Sequence, residues 1–582
     1  MFLVTVALSH ASRCSSRSER ARERLHQRVM PSPLRLLLQL SLALAAVSGM
    51  RSLRSVRSLS RTRIFSGVSI TDPVKVRFAP SPTGSLHVGG ARTALFNWLL
   101  AKQTKGKFVI RVEDTDVERS TRASEESILA DIKWVNMYWD EGPGIEGPCG
   151  PYRQSERKHI YQECAEKLIA EGHAYRCFCT EEELEQKRAE AEAAGLDPKY
   201  DGTWRDRDPA EIQKMLDEGR PYTVRFKVPK GKMVEIDDLV RGKVSWDADA
   251  ALGDFIIMRS SGMPVYNFCV AVDDATMGIT HVVRAEEHLS NTPRQLLVLE
   301  ALGYKPPQYA HCSLILGQDR SKLSKRHGAT SVSQFSKMGF IPEAMMNYLA
   351  NLGFNDGTDK EIYTPEELIQ AFNINRIIKS AAIFDMDKLT WINSQHLRAL
   401  SLDKLVPLVA EALRSAEPPI LKTEDSPEVL KFVEIGAKIA QKDLELTIDA
   451  RKLIGNCLGY PLLDTLKNDP HVEEVVNDDF KGVAAAIVRD FKANKIPTGG
   501  EDNLTDLWKA YVKDLGKELG RKGKALFHPV RLALTGSMSG PDIGEQLRLV
   551  HAAKAATHES YPLVDLSSRM QQLEAYLSTV SV

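Results

Sequence analysis

The stretch VRFAPSPTGSLHVGGARTALFNWLL, residues 76–100, constrains this chain more than any other. Val74, Val76 and Phe78 alternate with Lys75 and Arg77, which predicts a short strand. A Pro/Gly loop follows, and Ala91, Ala94, Leu95, Trp98 and Leu99 then recur at helical spacing, so a helix begins near His87. The next run, KFVIRVEDTD (107–116), is apolar on both faces, as buried parallel strands are, and ends in a burst of acids. Strand, helix, strand of this kind opens a doubly wound α/β sheet, where ligands bind at the carboxyl ends of the strands. Arg77 and Glu113 lie at that edge.

The loop has the layout of a phosphate site but contains neither a Walker A lysine nor a Gly-x-Gly-x-x-Gly run. Pro80 and Pro82 fix two φ angles and stiffen it. Gly84, Gly89 and Gly90 remove Cβ atoms where a flat ring or a phosphate approaches. The helix start supplies free N–H groups and the positive dipole end. His87 there can donate to phosphate oxygens without a permanent charge, or simply cap or pack the helix. A second basic segment, KLSKR (Lys322–Arg326), sits between Gly317 and Gly328 and brings Lys322 and Lys325 within reach of one triphosphate; the bland reading is a solvated loop.

At 582 residues the chain exceeds one core and predicts several domains. Net charge is zero, so no global basic signal for nucleic acid exists. The eight cysteines are scattered, which argues for reduced thiols rather than a disulfide scaffold. Residues 154–265 change character: TEEELEQKRAEAEAAG is a helix with a solvated face and YDGTWRDRDP is turn-rich. YNFCVAVDDATMGITHVVRAEEH (266–288) reads as two apolar strands, so the middle is an insertion splitting one fold. Beyond about residue 325 the pattern is helical, with Asn503 placed to cap Leu504, Leu507, Trp508, Tyr511 and Leu515. SAEPP and KIPTGGEDN read as linkers.

The first seventy residues stand apart. No lysine precedes Lys75, no acid lies between Glu23 and Asp72, and arginines alternate with serines and leucines in MRSLRSVRSLSRTRIFSG. This is the composition of an organelle transit peptide, preceded by an apolar run, LRLLLQLSLALAAVSG, of signal-core length. Residues 1–72 are expected to be a targeting leader, for a plastid or a mitochondrion, with Met30 and Met50 as alternative starts.

Taken together, SPTGSLHVGGART and KLSKRHG resemble the HIGH and KMSKS signatures of class I aminoacyl-tRNA synthetases. With RVEDTD, YNFCVAVDD, VVRAEEHLSNTPRQ and LSKRHGATSV, the chain from about residue 74 onward resembles the glutamyl-tRNA synthetases of the bacterial and organellar type. The resemblance implies a Rossmann-like doubly wound parallel sheet split by an α+β insertion and followed by an all-α anticodon-binding region. The expected bounds are 73–153 and 266–320 for the catalytic fold and 154–265 for an acceptor-stem-binding insertion. A loop and stem-contact domain is expected over 321–400, and an anticodon-binding domain over 401–582. It implies that Arg77, Ala79 and Ser81 hold glutamate, with Arg77 on the side-chain carboxylate, where a guanidinium gives two-point recognition. Glu113 would receive the α-amino group, and Tyr266 and Arg284 the rest, Arg284 facing the α-carboxylate. His87, Gly89, Gly90, Glu287, Lys322, Ser324, Lys325 and Arg326 would contact ATP, with His87, Lys322 and Lys325 catalytic and Lys325 nearest the transferring phosphates.

The implied reaction joins glutamate to ATP, as its Mg²⁺ complex, giving glutamyl-adenylate, and then transfers glutamate to tRNA(Glu), in organellar members also to tRNA(Gln). Activation is expected to need bound tRNA. The mature protein is expected to be a monomer without a membrane segment. Some members bind zinc in the insertion; Cys177 and Cys179 keep the first half of that pattern, but Trp204 and Asp206 stand where the second pair would be, so no zinc is expected. A glutaminyl-tRNA synthetase would read EPNG at the first motif and end in β-barrels, and a tRNA-modifying glutamyl transferase would lack the helical end. An inactive RNA-binding paralogue would not need His87, Lys322 and Lys325.

Overall fold

The computed structural model describes residues 70, 72–116, 118–145, 147–195, 197, 199–498 and 503–579; the leader expected over 1–72 lies almost wholly outside them. Strand β1 (Lys75–Phe78) pairs in parallel with β2 (Lys107–Ile110), Val76 opposite Phe108. The helix Val88–Gln103 links them and is buried from Val88 through Ala101, except at the two glycines that open it. It is apolar nearly all round because the sheet lies on one side and helices Pro342–Asn351 and Pro365–Ala371 on the other. The return to β2 needs Gly106: a Cβ there would stand 1.9 Å from the carbonyl oxygen of Val74. Only glycine lets the next residue, Lys107, donate to that carbonyl and start the ladder.

The insertion begins with helix Lys158–Ala170 and builds an antiparallel sheet from β3 (Ala174–Cys177), β4 (Thr223–Phe226) and, beyond a hairpin of β5 (Met233–Asp238) and β6 (Gly242–Asp247), β7 (Phe255–Met258). Its helix Glu181–Ala193 buries no side chain and starts in a capping box of Thr180 and Glu183, in keeping with its charged sequence.

The chain then departs from the sequence pattern. Tyr266–Thr276, expected as a strand, is a helix, and only β8 (His281–Ala285) is a strand. The reason is burial of charge: Asp273 and Asp274 face inward against arginines, so the helix is covered all round and shows no polar stripe. An apolar run of this kind cannot be told from a buried strand by periodicity. β8 pairs in parallel with β9 (Gln308–Cys312), and Thr280 donates to the Lys75 carbonyl, setting β8 beside β1. The two parallel pairs, β1-β2 and β8-β9, thus lie side by side with β1 next to β8. Between β1 and β8 the connections leave in opposite directions, the switch point where such sheets open a crevice.

Beyond residue 331 the structure is helical apart from the short strand Ala382–Ile383. One apolar core runs from the sheet through helices 402–458 and on to Leu549–Ala556; a second gathers Tyr460–Leu573. The SAEPP segment is no linker: Ala416 is buried, and Ile420 donates back to Leu413 in a tight turn. Of the KIPTGGEDN segment, residues 499–502 lie outside the described ones. Asn503 does precede the helix Leu504–Glu518, without a side-chain cap bond, and Leu507 is 41% exposed while Leu504, Trp508 and Leu515 are buried. Among the described residues no helix is long and apolar enough to cross a membrane.

Candidate active site

A cleft of about 450 Å³ opens at the carboxyl ends of β1 and β8. Arg77, Ala79 and Ser81 enter it from the end of β1, His87, Gly89 and Gly90 from the helix start, and Glu113 from beyond β2. Tyr266, Arg284, Glu287 and Lys322 complete the gathering from the second half of the fold. Ser324, Lys325 and Arg326 do not line it: Ser324 caps a single 3₁₀ turn, and Lys325 and Arg326 in that turn are exposed. Lys322, rather than Lys325, is the lysine the structure brings to the cleft.

Its floor is a buried ion cluster. Arg77 donates to Asp274 through Nε at 3.0 Å and Nη2 at 3.2 Å. Arg111 donates to the same carboxylate at 2.6 Å and to Glu113 at 3.1 Å. Asp273 is gripped by Arg157 at 2.8 Å and by the hydroxyl of Tyr161 at 2.9 Å. Burial pushes the Asp274 carboxyl up, but Arg77 and Arg111 outweigh it and hold it down at about 2. For Glu113 burial wins over Arg111 and Arg77, and its carboxyl is raised. Arg77, Arg111, Arg157 and Arg284 face three carboxylates, Glu113, Asp273 and Asp274, all buried. Arg92, also buried and lining the cleft, adds a further guanidinium, so positive charge exceeds negative in this buried cluster and favours an anionic ligand.

Arg284 closes the far side. Its Nε donates to His311 and its Nη2 to Thr292 at 2.9 Å, while Nη1 is buried and has no hydrogen-bond partner. Beside it the hydroxyl of Tyr266 stands 3.1 Å from Nδ1 of His288. Burial and then Arg284 push the His288 imidazole down to about 4, so it is neutral.

At the mouth, His87 is the N-cap of the helix, with Nδ1 accepting from the Gly89 N–H at 3.3 Å. The capping reading is therefore correct, and it does not use up the ring: with Nδ1 an acceptor, the proton of the neutral form lies on Nε2. Burial, then Lys322, lowers its pKa. A Cβ on Gly89 would meet only the His87 ring, at 3.8 Å, so the space above it is open, whereas one on Gly90 would press on Leu86 at 3.2 Å. Gly89 thus leaves room for a ligand, and Gly90 serves packing. The loop is tied on both sides. Asp131 accepts from the Leu86 N–H at 3.3 Å, and backbone bonds join Leu86 to Val332 and Val88 to Thr330, just past the basic loop. Lys322 pairs with Glu287 across the opening.

Several lining residues have no role assigned from the sequence, although most lie within its motifs. Arg92 donates to the carbonyls of Leu352 and Ser313, bracing the signature helix against the next domain, and Thr93, His288, Leu314 and Leu323 also face the cleft. The available signal was charge inside an apolar run: Arg92, Arg111, Asp273 and Asp274 all break buried stretches. In the insertion, Cys177 donates to the Tyr200 hydroxyl at 3.5 Å and Cys179 lies 4.0 Å from it. Tyr200 also accepts from the Trp204 N–H, and Asp206 is paired with Lys227. Among the described residues no three His, Cys, Asp or Glu side chains gather as metal ligands.

Residues 73–391 match the family described as tRNA synthetases class I (E and Q), catalytic domain, and residues 501–553 match the anticodon binding domain. The chain is 46% identical over 482 residues, 83% of its length and 98% of the relative's, to a glutamate–tRNA ligase of Carboxydothermus hydrogenoformans. It is 46% identical over 470 residues to one of Heliobacterium modesticaldum, covering 81% and 92% of the two chains. A crystal structure of a glutamate tRNA ligase from Elizabethkingia meningosepticum in complex with its amino acid superposes with a TM-score of 0.72 at 31% identity, over 87% of this chain and 100% of that one.

Proposed function

The chain belongs to the class I aminoacyl-tRNA synthetases, among the glutamate–tRNA ligases, and we propose that Arg77, with Ala79 and Ser81, holds the side-chain carboxylate of L-glutamate while Glu113 takes its ammonium group and Arg284, with Tyr266, its α-carboxylate. The reading rests on one observation: a single cleft gathers two carboxylate-seeking guanidiniums, an acid and a phosphate-ready helix start. Free glutamate carries two carboxylates and one ammonium, a net charge of minus one, and so offsets part of that positive excess. Glutamine is neutral overall and would leave that excess uncompensated.

ATP, with its Mg²⁺, is the co-substrate. A glutamate α-carboxylate oxygen attacks the α-phosphorus; the bond to the β-phosphate breaks and pyrophosphate leaves, giving glutamyl-adenylate. The 2′-hydroxyl of the terminal adenosine of tRNA(Glu) then attacks the acyl carbon and AMP departs. His87 Nε2–H donates to the phosphates as charge develops, and Lys322 brings positive charge from the rim. Lys325, Arg326 and Ser324 reach the phosphates only when their loop closes, with Gly317 and Gly328 at its ends. Gly328 has φ +97°, a conformation that suits a pivot.

The insertion holds the acceptor end and the helical C-terminal half reads the anticodon. The leader directs the protein to an organelle, plastid or mitochondrion, where it works as a monomer and charges tRNA(Glu), with tRNA(Gln) the candidate second substrate. ATP–pyrophosphate exchange with glutamate, with and without tRNA, tests the central reading; exchange in neither condition would sink it. Charging assays on purified tRNA(Glu) and tRNA(Gln) test the second substrate, and a fluorescent reporter fused to residues 1–72 tests the address.

A further inference from the structure

Arg284 is anchored from behind by residues that no motif names. Its Nε donates to Nε2 of His311 at 3.1 Å, and Nδ1 of that ring stands 2.6 Å from Oδ2 of Asp238. All three side chains are buried. A guanidinium can only donate, so Nε2 must accept and the imidazole proton sits on Nδ1. Burial lowers the His311 pKa; the bond to Asp238 opposes this and Arg284 reinforces it, which leaves the ring neutral. Asp238 ends β5 at the turn into β6, and the backbone N–H groups of Val240 and Arg241 in that turn, with that of His311, fix its carboxylate. Arg241 of the same turn pairs with Glu286 and donates to the His311 carbonyl. With Nε on His311 and Nη2 on Thr292, the nitrogen left over is Nη1, on a residue that lines the cleft.

We propose that Asp238 and His311 are positioning residues for Arg284: by fixing one imidazole tautomer they seat the guanidinium at the cleft wall, beside the place of the substrate α-carboxylate. This rests on the assignment of Arg284 to that carboxylate. It makes the inserted hairpin a working part of the amino-acid subsite, since the acid comes from the β5–β6 turn, the histidine from β9 and the arginine from β8. Reversed, the tautomer would aim an N–H at the guanidinium and push it off its seat.

Asparagine and glutamine each reproduce one half of the histidine. His311→Gln keeps an acceptor near Nε of Arg284 and gives up Asp238; His311→Asn keeps a donor for Asp238 and leaves Nε unpaired. In tRNA-supported pyrophosphate exchange by the full chain, H311N is expected to raise KM for glutamate about tenfold, and H311Q less than about threefold, with KM for ATP steady within about twofold. Equal rises in the two variants, or a matching rise in KM for ATP, would mean that packing alone matters and would overturn the proposal. If H311N does not fold, Asp238→Asn and Arg241→Ala decide. Both loosen the hairpin turn, but only D238N can supply a donor to Nδ1 and admit the other tautomer. A rise in KM for glutamate confined to D238N, with weaker preference for glutamate over isoglutamine, whose α-carboxylate is an amide, supports it. Equal effects, or none, overturn it. An inactive wild-type chain removes the function reading and this proposal together, whereas an active wild type with unchanged variants removes only this proposal.

Discussion

The floor and the mouth of the cleft are built on opposite principles. On the floor, Asp274 takes Arg77 through two nitrogens and Arg111 through a third, and none of these side chains is more than 7% exposed, Glu113 included. At the mouth, the Lys322 and Glu287 side chains are 63% and 45% exposed and meet in a single contact. The floor is set before a ligand arrives, so binding orders little there and discriminates on charge. The mouth is held by an interaction of about 0–1 kcal/mol, weak enough to give way and follow phosphates as they shift. Recognition of the amino acid needs the first property and leaving-group departure the second.

Removing Arg77 is the strongest blow to this contrast. Arg77→Ala leaves Asp274 buried with one partner fewer, and a broken buried pair costs about 3–5 kcal/mol. We expect kcat/KM for glutamate to fall on the order of a thousandfold, with a clear drop in the urea midpoint. An Arg77→Ala protein as stable as the wild type would show that the floor is not a preset cluster. Lys322→Ala and Lys325→Ala should lower kcat about ten- to a hundredfold and leave the urea midpoint within about 0.5 kcal/mol of the wild type. If either lysine variant destabilises the protein as the floor variant does, the two regions do not differ in kind.

The same contrast explains what the sequence made legible. β1, the signature helix and β2 follow from patterns a few residues long, and the cleft residues from contiguous spellings around His87 and Lys322. The partners on the floor are remote: Arg77 and Asp274 are 197 residues apart, and no local period announces their pairing. That pairing also hid the helix Tyr266–Thr276, because turning Asp273 and Asp274 inward erased the polar stripe that marks an amphipathic helix. The β5–β6 turn lay hidden for the same reason, since Asp238 reads as a hairpin acid until His311, 73 residues on, is beside it. Where Lys325 sits relative to Lys322 depends on the path of a loop, which residue types do not encode.

Acid separates floor from mouth more gently. Asp274 titrates near about 2 instead of its ordinary 3.8, so its depressed pKa adds stability that is complete above about pH 4 and is lost as pH falls through about 2. Nearly two units correspond to roughly 2 kcal/mol. Asp274→Asn is less stable at neutral pH because it leaves Arg77 and Arg111 short of a partner, yet it lacks this titration. The gap between wild type and variant in urea melts should therefore narrow from about pH 5 toward about pH 3. A gap that stays constant would mean that Asp274 ionises as it does in the unfolded chain, and the floor would lose its claim to be preset.

Salt gives the smallest effect. Raising ionic strength from about 0.1 to about 1 M shortens the Debye length from about 10 to about 3 Å, which screens exposed charges and leaves buried ones nearly untouched. A double-mutant cycle on Lys322 and Glu287, read as urea midpoints, should give a coupling of about 0.5 kcal/mol or less at low salt and about zero at high salt. The same cycle on Arg77 and Asp274 should give a coupling several times larger that survives the change, because no counterion reaches atoms on side chains at most 5% exposed. Equal salt sensitivity in both cycles would place water in the floor. The excess guanidinium could then be satisfied by solvent, and the preference for an anionic amino acid would need another source.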